Sequence, residues 1–282
     1  MNGLKKIFDF YIFSNIHVAI AGYCMAKVTL LKFDVNSNLV PLLIGFSIII
    51  SYNFIRYFEI NSKRLGWFKS WFFENKTKLV WISVLSFLMS IYIVFFTEFN
   101  IESLLVVIPF AFITFFYAIP LFKIGKLHIS FRNFPAIKIF SIAIAWAGVT
   151  VLFPLLEAGY HFNYDVYLEF FQRILILIAY TIPFDIRDVY FDDKELKTIP
   201  QLVGVQKSKI LGTVLLLLFV LISLFKNSYF EKDVSSDVVI AIVTVLFLWN
   251  STAKKSRYYT SFFVEAVPII WFLILLVFYN NI

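Results

Sequence analysis

The sequence predicts an all-α polytopic membrane protein, a bundle of nine transmembrane helices forming a single domain over residues 1–282, and three observations lead there. The first is composition: 61% of the chain is hydrophobic and 15% charged, giving a mean hydropathy of +0.84, more apolar than a soluble domain can hide. The second is the spacing of apolar runs. A bilayer core of roughly 30 Å needs about 20 helical residues, and runs of about that length fall at 10–31, 38–58, 79–97, 101–122, 136–155, 165–184, 210–225, 236–250 and 261–279. Nine such spans consume roughly 180 residues and leave only short connections. The third is charge. Lys and Arg gather in short cytoplasmic loops, and with a cytoplasmic N-terminus nearly all of the 25 basic residues fall on the inner side. Only Lys27, Lys32, Lys226 and Lys232 fall outside, and Arg173 lies within a span. Adding or losing a span would scramble that bias.

Each element carries its own signal. The first span follows Lys5 and Lys6, as a signal peptide would, but Asp9 and the lack of a small-x-small cleavage site argue for a retained helix. The second span brings Asn53, Arg56 and Glu59 to the inner surface, followed by Asn61, Lys63 and Arg64. The fourth ends at Tyr117, Pro120 and Lys123. The sixth holds Glu169 and Arg173 four residues apart, a pairing expected to neutralise a mid-span cation. It leaves the membrane through Pro183, which is expected to end or kink the helix, and delivers Asp185, Asp188 and Asp192. The ninth span starts from the same side and carries Glu265 about one turn deep. The polar residues of spans two, four, six and nine therefore converge on one level.

Asp185, Asp188 and Asp192 carry the chemistry. Offsets of three and seven residues place them within about 60° around a helix, where their charges repel unless a cation joins them. Mg²⁺ takes oxygen ligands, keeps several waters and joins one or two carboxylates to phosphate oxygens. The net charge of +7 is read as a basic skirt beside anionic lipid headgroups rather than a nucleic-acid surface. One cysteine, Cys24, permits no internal disulfide, and His17, His128 and His161 are scattered without metal-ligand spacing.

On these residues the chain resembles the UbiA-type intramembrane prenyltransferases. The segment IPFDIRDVYFDDKELKTIPQLVG resembles that family's second aspartate-rich motif, D-x-x-D-x-x-x-D, followed here by Thr198, Ile199, Pro200 and Gly204. FYAIPLFKIGKL, with Tyr117 and Lys123, is similar to the stretch after its fourth helix, and SFFVEAVPI to its ninth-helix acidic element, with Glu265 in place of Asp. The first motif departs from the pattern: SYNFIRYFEIN keeps Asn53 but has Phe54, Tyr57 and Asn61 where aspartates belong.

The resemblance implies a Mg²⁺-dependent transfer of a prenyl group from a prenyl diphosphate to an acceptor, often aromatic. It implies a multi-pass location in a bacterial inner membrane and a connection to quinone biosynthesis. Metal and catalysis are expected at Asp185, Asp188 and Asp192, holding a single Mg²⁺. Diphosphate contacts are expected at Asn53, Arg56 and Lys123, with Tyr117 and Glu265 as further site candidates. Loss of the first motif leaves open a lipid-binding pseudoenzyme of the same fold. A secondary transporter is the third reading, but such sites lie near the midplane and commonly show repeat symmetry, whereas these carboxylates lie at one edge.

Overall fold

The computed structural model describes residues 2–60, 66, 68–118, 122–124, 127–129, 137–191, 197–227 and 231–280. For 2, 58, 59, 115–118, 122–124, 127–129, 137, 138 and 280 the description covers the backbone alone. The helices are α1 (Asn2–Phe13), α2 (Ile16–Lys32), α3 (Leu39–Glu59), α4 (Lys69–Phe96), α5 (Leu104–Ala118), α6 (Ile137–Ala147), α7 (Phe153–Glu157), α8 (Tyr164–Asp188), α9 (Ile199–Val203), α10 (Val205–Ser223), α11 (Glu231–Asn250) and α12 (Val267–Asn280). Between α5 and α6 lies a small antiparallel hairpin, β1 (Phe122–Ile124) and β2 (Leu127–Ile129), pairing Lys123 with His128. The sequence reading ran span four through residue 122 as helix, but α5 ends at Ala118. Pro120 removes a backbone donor just beyond that end.

Among the described residues seven helical segments are long and apolar enough to cross a membrane, and α1 with α2, bent by 51° at their junction, would make an eighth. A shorter apolar helix covers 101–114. These lengths make the protein a multi-pass integral membrane protein, and every apolar run read from the sequence falls on one of them. The bend between α1 and α2 has a local cause, because Asn15 adopts a left-handed conformation (φ 69°) that interrupts the helix.

Packing follows from the scarcity of a hydrophobic driving force between helices in lipid, which leaves close contact and polar links to hold them. Gly22 allows α2 to lie against α3 so closely that a Cβ there would meet Ile48. Helix α4 buries Phe72, Leu79, Ser86 and Ile93, one residue every seven, and turns its other faces outward. That single seam is what a helix at the rim of a bundle presents. Some hydroxyl groups within the spans return to their own helix, as Ser90 Oγ donates to the Ser86 carbonyl at 2.9 Å and Thr244 Oγ1 to the Ile240 carbonyl at 2.7 Å, which satisfies them without water.

The central rod is α8, buried along most of its length. Its first half is fixed by charge. Arg173 Nη2 meets Glu169 Oε1 at 2.8 Å, as the sequence spacing predicts. The pair belongs to a larger buried network: Lys32 Nζ lies 2.8 Å from Asp237 Oδ1 and 3.4 Å from Glu169, and Lys226 also binds Glu169. Lys32 and Arg173 both lie 4.8 Å from the ring centre of Trp271. Helices α2, α8, α10, α11 and α12 are thereby tied together at the end of the bundle remote from the aspartates.

Candidate functional site

The last two turns of α8 bring the second-motif residues to a cavity of about 290 Å³. Pro183 does not end the helix, which continues to Asp188. Asp185 and Asp188 therefore lie one turn apart on a regular helix. Both are largely buried, at 5% and 9% exposure, and both line the cavity with Arg187 between them. Arg56 from α3, Thr114 from α5 and Glu265 from the ninth span also line it. The four elements that the sequence expected to converge do meet here. They are joined by Ile12 and Phe13 of α1 and by Ser141 and Trp146 of α6.

The guanidinium of Arg187 is the residue the sequence reading missed, having been counted only as a cytoplasmic charge. Its Nε and Nη2 donate to the two oxygens of Asp188 at 2.8 and 2.7 Å, and its Nη1 donates to Thr260 Oγ1 at 2.6 Å. This is a two-pronged grip on a carboxylate. Helical periodicity turns Arg187 about 160° from Asp185, so only its reach along α8 brings it back to the cavity. Arg56 donates to the carbonyl oxygen of Phe13, the last residue before the α1–α2 break, and lies 4.9 Å from the Phe68 ring centre. The guanidinium groups of Arg56 and Arg187 are both close enough to Glu265 to act on its charge.

Glu265 owes its position to a turn of π-helix over Tyr259–Val264, where the Glu265 amide donates five residues back to Thr260 at 3.1 Å. His17 fastens that turn: its Nε2 bonds the Phe262 carbonyl at 2.9 Å while Nδ1 meets Tyr11 Oη at 2.7 Å. A carbonyl only accepts, so Nε2 carries the proton and Nδ1 accepts from the tyrosine. Just before the turn, Tyr258 Oη donates to Asp9 Oδ1 at 2.6 Å. This bond, with burial, pushes the phenol up to about 12.

One expected site residue, Asn53, falls elsewhere among the described residues. Asn53, expected at the diphosphate, is buried and outside the described lining of the cavity. Its Oδ1 accepts from Asn15 Nδ2 at 2.8 Å and its Nδ2 donates to Ser83 Oγ at 3.0 Å, so its amide ties α3 to the α1–α2 break and to α4. Tyr117 lies on α5 and Lys123 on β1, with side chains beyond the description, and Asp192 lies outside the described residues. Phe54 and Tyr57, where the first motif would carry aspartates, are exposed at 44% and 54%.

A second cavity, about 360 Å³, lies beside the first between α3, α4, α5 and α6. The two share Tyr52, Ile55, Thr114, Ala145 and Trp146. Its walls are mostly aliphatic and aromatic, and among the described lining residues it contains no charged side chain. Acid and guanidinium groups therefore occupy one chamber, and hydrocarbon surrounds the other.

The donor chemistry suits a hard cation. Two buried carboxylates one turn apart, facing a cavity, match the one or two that Mg²⁺ takes when phosphate and water complete its shell. Among the described residues no group of three or more acidic, histidine or cysteine side chains could hold a metal; Asp192, the third expected ligand, lies outside them.

No protein-family model and no curated protein matches the chain. Solved structures do. A UbiA homolog from Archaeoglobus fulgidus bound to GPP and Mg²⁺ superposes with a TM-score of 0.65 at 14% identity, covering 95% of this chain and 99% of that one. The chain has a UbiA-type fold. The A. fulgidus homolog bound to DMAPP and Mg²⁺ gives a TM-score of 0.64 at 12% identity over 96% and 99% of the two chains. A digeranylgeranylglyceryl phosphate synthase gives 0.55 at 19% identity, over 99% and 98%. The neighbours of this UbiA-type fold are thus prenyltransferases, two of them solved with a prenyl diphosphate and Mg²⁺.

Proposed function

We propose that the protein is a Mg²⁺-dependent intramembrane prenyltransferase, moving a prenyl group from a prenyl diphosphate to an electron-rich acceptor. In this reading the chain forms one domain of nine crossings with a cytoplasmic N-terminus, and the mouth of the cavity opens at the inner leaflet. One observation carries the proposal: within a UbiA-type fold, a chamber lined by Asp185, Asp188, Arg56 and Arg187 adjoins an apolar chamber with no charged side chain among its described lining residues. An anionic head and a hydrocarbon tail on one molecule match that pairing.

Asp185 and Asp188 would hold Mg²⁺, which would supply Lewis-acid withdrawal of charge from the leaving diphosphate. Arg56 and Arg187 neutralise the remaining oxygens, and Arg187 holds Asp188 until the anion arrives. The C1–O bond of the prenyl diphosphate breaks with its electron pair leaving on diphosphate. The acceptor then supplies a pair to C1 and releases a proton, for which Glu265 on the cavity wall is the described carboxylate outside α8. Tyr52, Trp146 and Tyr180 line the same space, where aromatic faces near a developing cation contribute roughly 0.5 to 2 kcal/mol each and their bulk excludes water.

A pseudoenzyme remains the second reading, favoured by Phe54 and Tyr57 where the first motif would carry aspartates and by the closed Arg187–Asp188 pair. Turnover separates the two. Purified protein in lipid nanodiscs, given prenyl diphosphates of graded length and membrane-extracted acceptors, is expected to release diphosphate with Mg²⁺ and to stop with EDTA. Asp185→Asn is expected to lower that rate by about 10²- to 10³-fold, the usual cost of removing a charge-stabilising group, at unchanged melting temperature. Release that persists with EDTA, or in Asp185→Asn, overturns the assignment.

A further inference from the structure

The apolar chamber is bounded by a contact that only glycine permits. Gly148 begins the π-helical turn Gly148–Leu152 that joins α6 to α7, and the Phe110 ring of α5 rests directly on it. A Cβ built on Gly148 would fall 2.1, 2.2 and 2.4 Å from three atoms of that ring. Contacts so short require the ring itself to move, since no Cβ approaches another atom that closely. The turn beneath the ring is fixed from behind: Pro154 has no N–H to give it, and the Thr150 carbonyl accepts from Thr29 Oγ1 of α2 at 2.8 Å. The turn is held at Thr150, two residues beyond Gly148, and the Phe110 ring, the far end of a side chain, is the partner that gives.

Phe110 lines the apolar chamber together with Val107, Val149 and Phe153. Seated on Gly148, its ring is held at the wall and the chamber stays open. A ring displaced from that seat has the chamber beside it as free space.

We propose that the Gly148–Phe110 contact sets the longest prenyl tail this protein accepts, with Phe110 acting as a specificity-determining wall whose position Gly148 dictates. The inference rests on the prenyltransferase reading for the identity of the tail, and on geometry alone for the wall. It commits the apolar chamber to the prenyl group rather than to the acceptor, because the chamber shares five wall residues with the one that carries the acid and guanidinium groups.

The test is the chain-length cut-off, read in two ways. Turnover is measured with prenyl diphosphates increasing by one isoprene unit, and binding is measured by the thermal shift with the matching unreactive thiolodiphosphates. Gly148→Ala is expected to lower the cut-off by at least one isoprene unit while leaving the shortest substrate within two-fold of wild type. Phe110→Ala is expected to raise it, and the double variant to regain at least the wild-type limit. Should Gly148→Ala fail to fold, Phe110→Ala alone decides. A cut-off unchanged in Phe110→Ala, or a double variant as restricted as Gly148→Ala, overturns the proposal, the former result also being expected if the acceptor fills the chamber. Absence of wild-type turnover with every length would overturn the prenyltransferase reading, while the binding series still reads the wall.

Discussion

At the scale of single residues, the site depends on how two guanidinium groups share the charge of the acids beside them. Arg187 grips both oxygens of Asp188 and also reaches Thr260 on the ninth span, so it couples α8 to the turn that carries Glu265. Lysine keeps the charge but has no planar fork. Arg187→Lys is therefore expected to lower kcat/KM for the prenyl diphosphate by about 10- to 100-fold, less than the about 10²- to 10³-fold for removing an oriented donor outright because the charge remains, with the larger part in KM and with melting little changed. Steady-state kinetics at saturating Mg²⁺ check this, and an unaltered KM would return Arg187 to the role of a surface charge. Asp185 and Asp188 were legible in the sequence because a three-residue offset on a helix means one face. Arg187 was not, because a two-residue offset means the opposite face, and periodicity says nothing about how far a long side chain bends back. Asn53 was legible as a residue but not in its role, since its partners Asn15 and Ser83 come from other helices.

Helices were read from the sequence wherever apolarity persists for the thickness of a bilayer, and their interruptions were not. The break at Ser14 and Asn15, the π turns at Gly148–Leu152 and Tyr259–Val264 and the hairpin after α5 all arise from tertiary contacts or single backbone conformations that hydropathy does not record. Each of the first three borders the cavities. The buried network on α8 was half visible: Glu169 and Arg173 stand four apart in the chain, but Lys32, Lys226 and Asp237 reach them across space. Glu169 is fully buried among three cations. Removing its charge alone leaves those cations facing one another, and breaking a buried pair from one side costs about 3 to 5 kcal/mol. Glu169→Gln, which keeps the size and one acceptor oxygen, is expected to destabilise the protein by that amount in reversible unfolding from mixed micelles. The variant lies about 24 Å along α8 from Asp185, at 1.5 Å per residue over sixteen residues. Its folded fraction should accordingly retain wild-type KM. A loss of less than about 1 kcal/mol, the scale of an exposed pair, would mean that water reaches the network.

For the whole molecule, the two ends of the bundle differ in kind. One end closes on paired charges with hydrocarbon between them, and the other opens on a cavity where acids and guanidinium groups face a ligand-sized space. The division fits a membrane enzyme whose water-soluble leaving group departs from one side only. We propose from the charge bias of the sequence that the open end faces the cytoplasm, the side on which Lys and Arg gather in short loops. Cysteine mapping tests the orientation directly, because Cys24, the one native cysteine, is buried and gives little background. Ser256, exposed just before the turn that carries Glu265, and His161, exposed in the connection before α8, lie near opposite ends. A membrane-impermeant maleimide applied to intact cells is expected to label His161→Cys and spare Ser256→Cys, and the pattern should reverse in inverted vesicles. Labelling of Ser256→Cys from outside would invert the molecule. The diphosphate would then have to arrive and leave on the side away from the cytoplasm, and Arg56, Arg187 and the two aspartates would need a different anion to explain them.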